Sequence, residues 1–212
     1  MNFEIDSGFE TVARQAIECN VCFSNSDLIR STVDLPQPRW IGSRYWKSDQ
    51  RVLFLLLNPG SGDGYATEAN LQFLSLLHAY KEGCGSLDAV LEHQRRDMPN
   101  WGRGRFVEFY LTGLDLKLDA VAFANVAWCG TKENRYPMRM LTRCFEKHTS
   151  RLLEVLSPNL VILSGNSVHS FEKRIADLLP GAKVVKALHY ANRKGKDVQS
   201  TELNRLRELI HG

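Results

Sequence analysis

The side chains of this chain whose types and spacing could do chemistry are its cysteines, two asparagines and one late histidine. Cys19 and Cys22 form a Cys-x-x-Cys pair near the start, while Cys129 and Cys144 flank the turn Asn134-Arg135-Tyr136-Pro137. Thiolates bind zinc tetrahedrally and carry iron–sulfur clusters, so two pairs from distant parts of the chain could close a four-thiolate metal site. Each cysteine taken alone reads as a buried, inert thiol. Cys84 lies in the glycine-rich stretch Lys81-Glu82-Gly83-Cys84-Gly85-Ser86 with no second cysteine nearby, and reads as a free thiol.

Three further positions stand at the ends of apolar runs. Val52 to Leu57 leads into Asn58-Pro59-Gly60-Ser61-Gly62-Asp63-Gly64-Tyr65. There the proline stiffens the exit, and Gly60 and its fellow glycines let backbone amides approach a ligand closely. Asn58 could hold a water or an oxyanion, although Asn-Pro-Gly is also ordinary turn chemistry. Asn125 sits inside the run Ala120 to Val126, where an unpaired amide is costly to bury. It could present a donor and an acceptor to the edge of a base, or cap a neighbouring backbone group. His189 closes the run Lys183 to Leu188, and a lone histidine there reads as either structural or functional.

These residues need a frame. Val52 to Leu57, Ala120 to Val126 and Leu160 to Leu163 are almost continuously apolar, the pattern of central parallel strands covered on both faces. Lys183 to Leu188 supplies a fourth. Helical periodicity occupies the intervals: Thr67 to Tyr80 with Leu71, Leu74, Leu77 and His78 along one side, Arg105 to Gly113, Met138 to Leu156, Ser167 to Leu179 and Thr201 to Ile210. Ser157-Pro158 stops the longest of them. Alternating strands and helices predict an α/β fold, a three-layer α/β/α sandwich around a mostly parallel four-stranded sheet, with the site at the carboxyl ends of the strands. Ser31 to Gln50 reads as a long irregular stretch that could cover one sheet edge.

Bulk properties bound the reading. At 212 residues and 43% apolar content the chain predicts a single domain spanning residues 1–212. No apolar run reaches the roughly 18 residues of a membrane span, and the first residues lack the pattern of a secretory signal; a cytoplasmic protein without a membrane partner is expected, and in a reducing compartment clustered cysteines point to metal rather than disulfides. The net charge of +3 is too small to establish a nucleic-acid partner. Basic residues nevertheless gather in polar connections, among them Arg193 and Lys194. The Asn58-Pro59-Gly60 loop lacks the terminal Gly-Lys-Ser/Thr of a P-loop, which argues against a phosphate cradle of that kind.

Read together, the blocks resemble the uracil-DNA glycosylase superfamily, and most closely its iron–sulfur branch. The resemblance is carried, in order, by Cys19-Asn20-Val21-Cys22, Leu57-Asn58-Pro59-Gly60, Asn125 four residues before Cys129, Asn134-Arg135-Tyr136-Pro137, Cys144 on the next helix, and His189. The first motif is similar to the Asn-Pro-Gly form of the mismatch-specific and single-strand-selective relatives. Tyr190-Ala191 replaces the proline and small residue that usually follow the histidine.

The resemblance implies a monomeric DNA-repair hydrolase for base excision, cleaving the N-glycosidic bond of uracil or a related deaminated base in DNA. Asn58 would position the attacking water and His189 would stabilise charge on the departing base. Asn125 would read the base edge, with Tyr65 or Phe73 stacked on its face and Gly60 in the loop beside it. Arg193 and Lys194 would contact phosphates. Cys19, Cys22, Cys129 and Cys144 would hold a [4Fe-4S] cluster, with zinc as the alternative. Tyr190-Ala191 leaves open a nucleic-acid-binding protein of the same fold with weak or no excision activity.

Overall fold

The computed structural model describes residues 5–24, 26–60, 68–192 and 195–212. Its centre is a parallel sheet of β1 (Val52–Leu56), β2 (Val121–Asn125), β3 (Leu160–Ser164) and β4 (Lys183–Ala187), in the order β2-β1-β3-β4. Every residue of β1, β2 and β3 is buried, which explains their unbroken apolar runs. Lys183 and Lys186 are exposed on β4, as suits an edge strand that must discourage pairing with another chain.

Helices fill the intervals between strands and complete a three-layer α/β/α fold. They are α1 (Ser7–Ile17), α2 (Glu68–Lys81), α3 (Leu87–Asp97), α4 (Arg105–Tyr110), α5 (Met138–Cys144), α6 (Ser150–Leu156), α7 (Asn166–His169), α8 (Glu172–Leu178) and α9 (Lys196–His211). The register sets Leu56 beside Asn125 and Ser164 beside Ala187. All four strands therefore end on the same side. From β1 the chain moves outward to β2 and then returns to β3 on the other flank of β1, so a crevice forms at the carboxyl ends.

The free edge of β2 is covered as the irregular stretch suggested. Phe123 N–H donates to the Trp40 carbonyl at 2.8 Å, Gly42 N–H donates to the Val121 carbonyl at 2.9 Å, and Ile41 bridges Ala122 antiparallel. These bonds satisfy backbone groups that an open edge would leave to solvent.

Several helix expectations need correction. On α2, Leu71 is 51% exposed and His78 is exposed; the buried face is Phe73, Leu77 and Tyr80, because Phe73 and Tyr80 carry apolar surface that the leucine pattern overlooked. The stretch from Met138 to Leu156 is α5 and α6 joined by a five-residue π-helical segment, Phe145–Thr149. The stretch from Ser167 divides into α7 and α8, and α9 begins at Lys196 rather than Thr201. The helices α1 and α3 carry no expectation from periodicity. Side-chain caps mark both: Asp6 accepts from the N–H groups of Gly8 and Phe9, and Ser86 from that of Ala89. Among the described residues no helix is long and apolar enough to cross a membrane.

Candidate active site

A cavity of about 530 Å³ opens at the carboxyl ends of the strands, and Asn58, Gly60, Phe73, Asn125 and His189 all line it. Strand exits bring them together: Asn58 two residues beyond β1, Asn125 at the end of β2, and His189 two residues beyond β4. Tyr65, Arg193 and Lys194 lie outside the described residues.

Asn58 is held from the far side by the Asn-Arg-x-Pro turn. Its Nδ2 donates to Tyr136 Oη at 2.9 Å and to Asn134 Oδ1 at 3.2 Å. The Tyr136 hydroxyl also accepts from the Thr131 N–H at 3.1 Å, and Asn134 itself adopts a left-handed φ of 54°, a conformation asparagine tolerates better than most residues. With both amide protons engaged, Asn58 keeps Oδ1 as an acceptor. Gly60 has φ +80°, and a Cβ there would meet nothing within 4 Å; glycine is favoured at this position by backbone conformation rather than by crowding.

Asn125 is buried. Hydrogen bonding fixes its amide orientation: Nδ2 donates to the carbonyls of Ala124 and Asn58, both at 3.2 Å, and Oδ1 accepts from Arg39 Nε at 2.8 Å. Arg39 also donates through Nη2 to the Pro59 carbonyl at 2.5 Å, and its guanidinium lies 5.2 Å from the centre of the Trp101 ring. Desolvation lowers the Arg39 pKa to about 10. Sequence reading missed this residue. The available signal was a charged side chain in Leu35-Pro36-Gln37-Pro38-Arg39-Trp40, a segment whose prolines and apolar residues suit burial on the sheet edge.

His189 is half-buried beside Gly165, with its ring 4.3 Å from that of Tyr190. Its Nδ1 accepts from the Ala191 N–H at 3.2 Å. That bond favours the tautomer whose Nε2 carries the proton and can donate. Desolvation first, and the Arg105 charge second, lower its pKa below the ordinary 6.5, so the ring is neutral at neutral pH. Tyr190 packs into the wall, 5.3 Å from Phe106 and 5.8 Å from Tyr110 between ring centres, and a Cβ at Gly102 would overlap its ring. Phe73 is 6% exposed and stacks on His93 at 5.4 Å; both line the cavity.

The four cysteines line a second, far smaller cavity of about 10 Å³. Cys19 and Cys22 are half-buried, Cys129 and Cys144 buried, and Cys84 stands apart and exposed. Trp128 N–H donates to Cys144 Sγ at 3.2 Å, and Arg30 donates to Cys129 Sγ at 3.6 Å. Burial first, and the neighbouring Cys19 second, raise the Cys22 pKa, against Arg143, Arg30 and Lys147, which favour its anion. Burial also pushes the Cys129 thiol up to about 12 and that of Cys144 well above its ordinary value. Among the described residues no three His, Cys, Asp or Glu side chains are already drawn into a metal shell. The donor set itself fits a thiolate-bound metal: four sulfurs around one cavity, with N–H donors on two of them and cations close by.

The π-helical segment links the two cavities. It begins directly after Cys144, and its last residue, Thr149, donates to the carbonyls of Asn125 at 2.9 Å and Val126 at 3.1 Å while accepting from Trp128 Nε1 at 3.1 Å. A widened helical turn of this kind is frequent at functional sites. Here it anchors the exit of β2 between Asn125 and Cys129. Comparison with known proteins finds no family model and no curated protein that matches the chain.

Proposed function

We propose that the chain is a uracil-DNA glycosylase-like hydrolase that cleaves the N-glycosidic bond of uracil or a related deaminated base in DNA. The observation that carries this reading is the single cavity at the strand ends that holds Asn58, Asn125, Phe73 and His189 together. A base inside a duplex is out of reach, so the nucleotide is extruded into the cavity. Asn58 Oδ1, fixed by Tyr136 and Asn134, accepts a hydrogen bond from the attacking water and aims it; an amide is too weak a base to deprotonate it. The bond from the sugar C1′ to the base nitrogen breaks, the base keeps the electron pair, and the sugar gains cationic character. Water oxygen then bonds to C1′ and its proton passes to solvent. His189, neutral and donating through Nε2, stabilises the charge on the departing base. Asn125 belongs to the wall against the base edge, Phe73 or Tyr65 to its face, and Arg193 and Lys194 to the phosphates.

Cys19, Cys22, Cys129 and Cys144 would hold a [4Fe-4S] cluster or zinc, which would supply a structural tie between the N-terminal segment and the exit of β2. A cytoplasmic, monomeric protein is part of the same reading. The test is base release from uracil-containing single-stranded and duplex oligonucleotides. The native protein is expected to leave abasic sites, and Asn58→Ala and His189→Ala are expected to lower excision far more than binding. Absence of base release on every substrate overturns the enzymatic reading. The second reading, a binding protein of the same fold, is favoured by the packed position of Tyr190, and its outcome in the same assay is DNA binding without abasic product.

A further inference from the structure

Asn125 has little left with which to read a base. Both of its amide protons go to backbone carbonyls, and its oxygen is held by a guanidinium. Two other polar side chains of the same cavity have capacity to spare. A guanidinium has five N–H groups; Arg39 uses one on Asn125 and one on the Pro59 carbonyl. The remaining three, two on Nη1 and one on Nη2, are donors suited to oxygen acceptors. No acidic side chain among the described residues balances this charge; its electrostatic neighbours are the phenols of Tyr136 and Tyr190.

Gln94, on α3, is 1% exposed. Its Nε2 donates at 2.6 Å to the carbonyl of Pro38, the residue before Arg39. That bond orients the amide, and its Oε1 is buried with no partner among the described residues. A buried acceptor without a donor is uncommon, and a ligand N–H would relieve it.

We propose that Arg39 and Gln94 read the base edge, Arg39 donating to a ring carbonyl oxygen and Gln94 Oε1 accepting the neighbouring ring N–H, with Asn125 as the positioning residue that holds the guanidinium. The substrate class is a lactam base, one that presents C=O beside N–H, as uracil and hypoxanthine do. Cytosine and adenine present the reverse pattern: an exocyclic amine would face the Arg39 donors, and a ring-nitrogen lone pair would face the Gln94 oxygen. The wall therefore rejects them by unpaired and repulsive contacts as well as accepting its ligand.

This inference rests on the glycosylase reading for the origin of the base, but its test does not need turnover. Free uracil, hypoxanthine, cytosine and adenine are the probes, titrated against the full-length protein with ligand-detected NMR, alongside excision assays. Uracil and hypoxanthine are expected to bind at least tenfold more tightly than cytosine and adenine. Gln94→Leu, which removes the orphaned oxygen and fills its space, is expected to reduce that ratio at least tenfold while the unfolding midpoint holds or rises. Arg39→Met is expected to reduce it further. If Gln94→Leu is folded and discriminates as the native protein does, or if the native protein binds all four bases alike or none of them, the inference is overturned. Native-level discrimination in Gln94→Leu together with uracil excision leaves the glycosylase reading intact. Lactam preference that is lost in the variant, without excision by the native protein, refutes catalysis and keeps the inference.

Discussion

Tyr136→Phe tests how Asn58 is positioned. The ring stays, and only a hydroxyl is lost. That hydroxyl accepts from Asn58 Nδ2 at 2.9 Å and from the Thr131 N–H at 3.1 Å. Removing it leaves Asn58 with the longer bond to Asn134 at 3.2 Å, and strands the N–H of Thr131, a residue with no exposed surface. A net hydrogen bond contributes about 1 kcal/mol and a stranded buried donor costs about 1–3 kcal/mol, so a loss of about 2 kcal/mol is expected. For a chain of this length that lowers the melting temperature by about 4–8 °C. The kinetic effect is separate: an Asn58 amide held by one bond instead of two aims the water less well, and losing about 1.4 kcal/mol of transition-state positioning lowers the rate about tenfold. Thermal unfolding and single-turnover base release measure the two. Substrate affinity should change little, because the hydroxyl faces the amide and not the base. A variant that melts and excises like the native protein refutes the claim that the Asn-Arg-x-Pro turn positions Asn58.

Purified protein is expected to contain iron or zinc, and replacing any of Cys19, Cys22, Cys129 or Cys144 by serine should remove most of it while Cys84→Ser leaves it intact; elemental analysis decides, and four freely titrating thiols in a folded, metal-free protein would contradict the site. Asn125→Asp should form a buried ion pair with Arg39 and set a carboxylate against the carbonyls of Ala124 and Asn58, weakening uracil recognition with fold and metal content preserved; unchanged excision and unchanged discrimination against cytosine, measured side by side, would make Asn125 merely structural. Because the folded His189 pKa is depressed, the unfolded chain binds its proton first as pH falls, so the stability contribution is whole above the unfolded value of 6.5 and is lost as pH falls through the folded pKa. Base release should likewise be lost as pH falls through the folded His189 pKa, which lies below 6.5, and an NMR titration placing the imidazole above 6.5 would overturn the neutral-donor role.

The sheet was legible in the sequence because burial on both faces demands unbroken apolar runs, and Val52–Leu56, Val121–Asn125 and Leu160–Ser164 satisfy that demand in consecutive residues. Asn58, Asn125 and His189 could be picked out because each ends or interrupts such a run, and parallel strands place all their ends on one side. The cysteines were legible by type and spacing alone. Helix faces were read less well: α2 buries Phe73 and Tyr80 where the leucines suggested otherwise, since a helix's inward face is chosen by its neighbours. What only the tertiary structure decided is which polar groups are already satisfied. Tyr136 meets Asn58 across 78 residues of chain, and Arg39 reaches Asn125 because an irregular segment pairs with the edge of β2. Gln94 is a core residue with an unpaired oxygen only because α3 presses it against Pro38. Hydrogen-bond satisfaction depends on partners remote in sequence and leaves no periodicity, so these roles come into view only when the chain is folded.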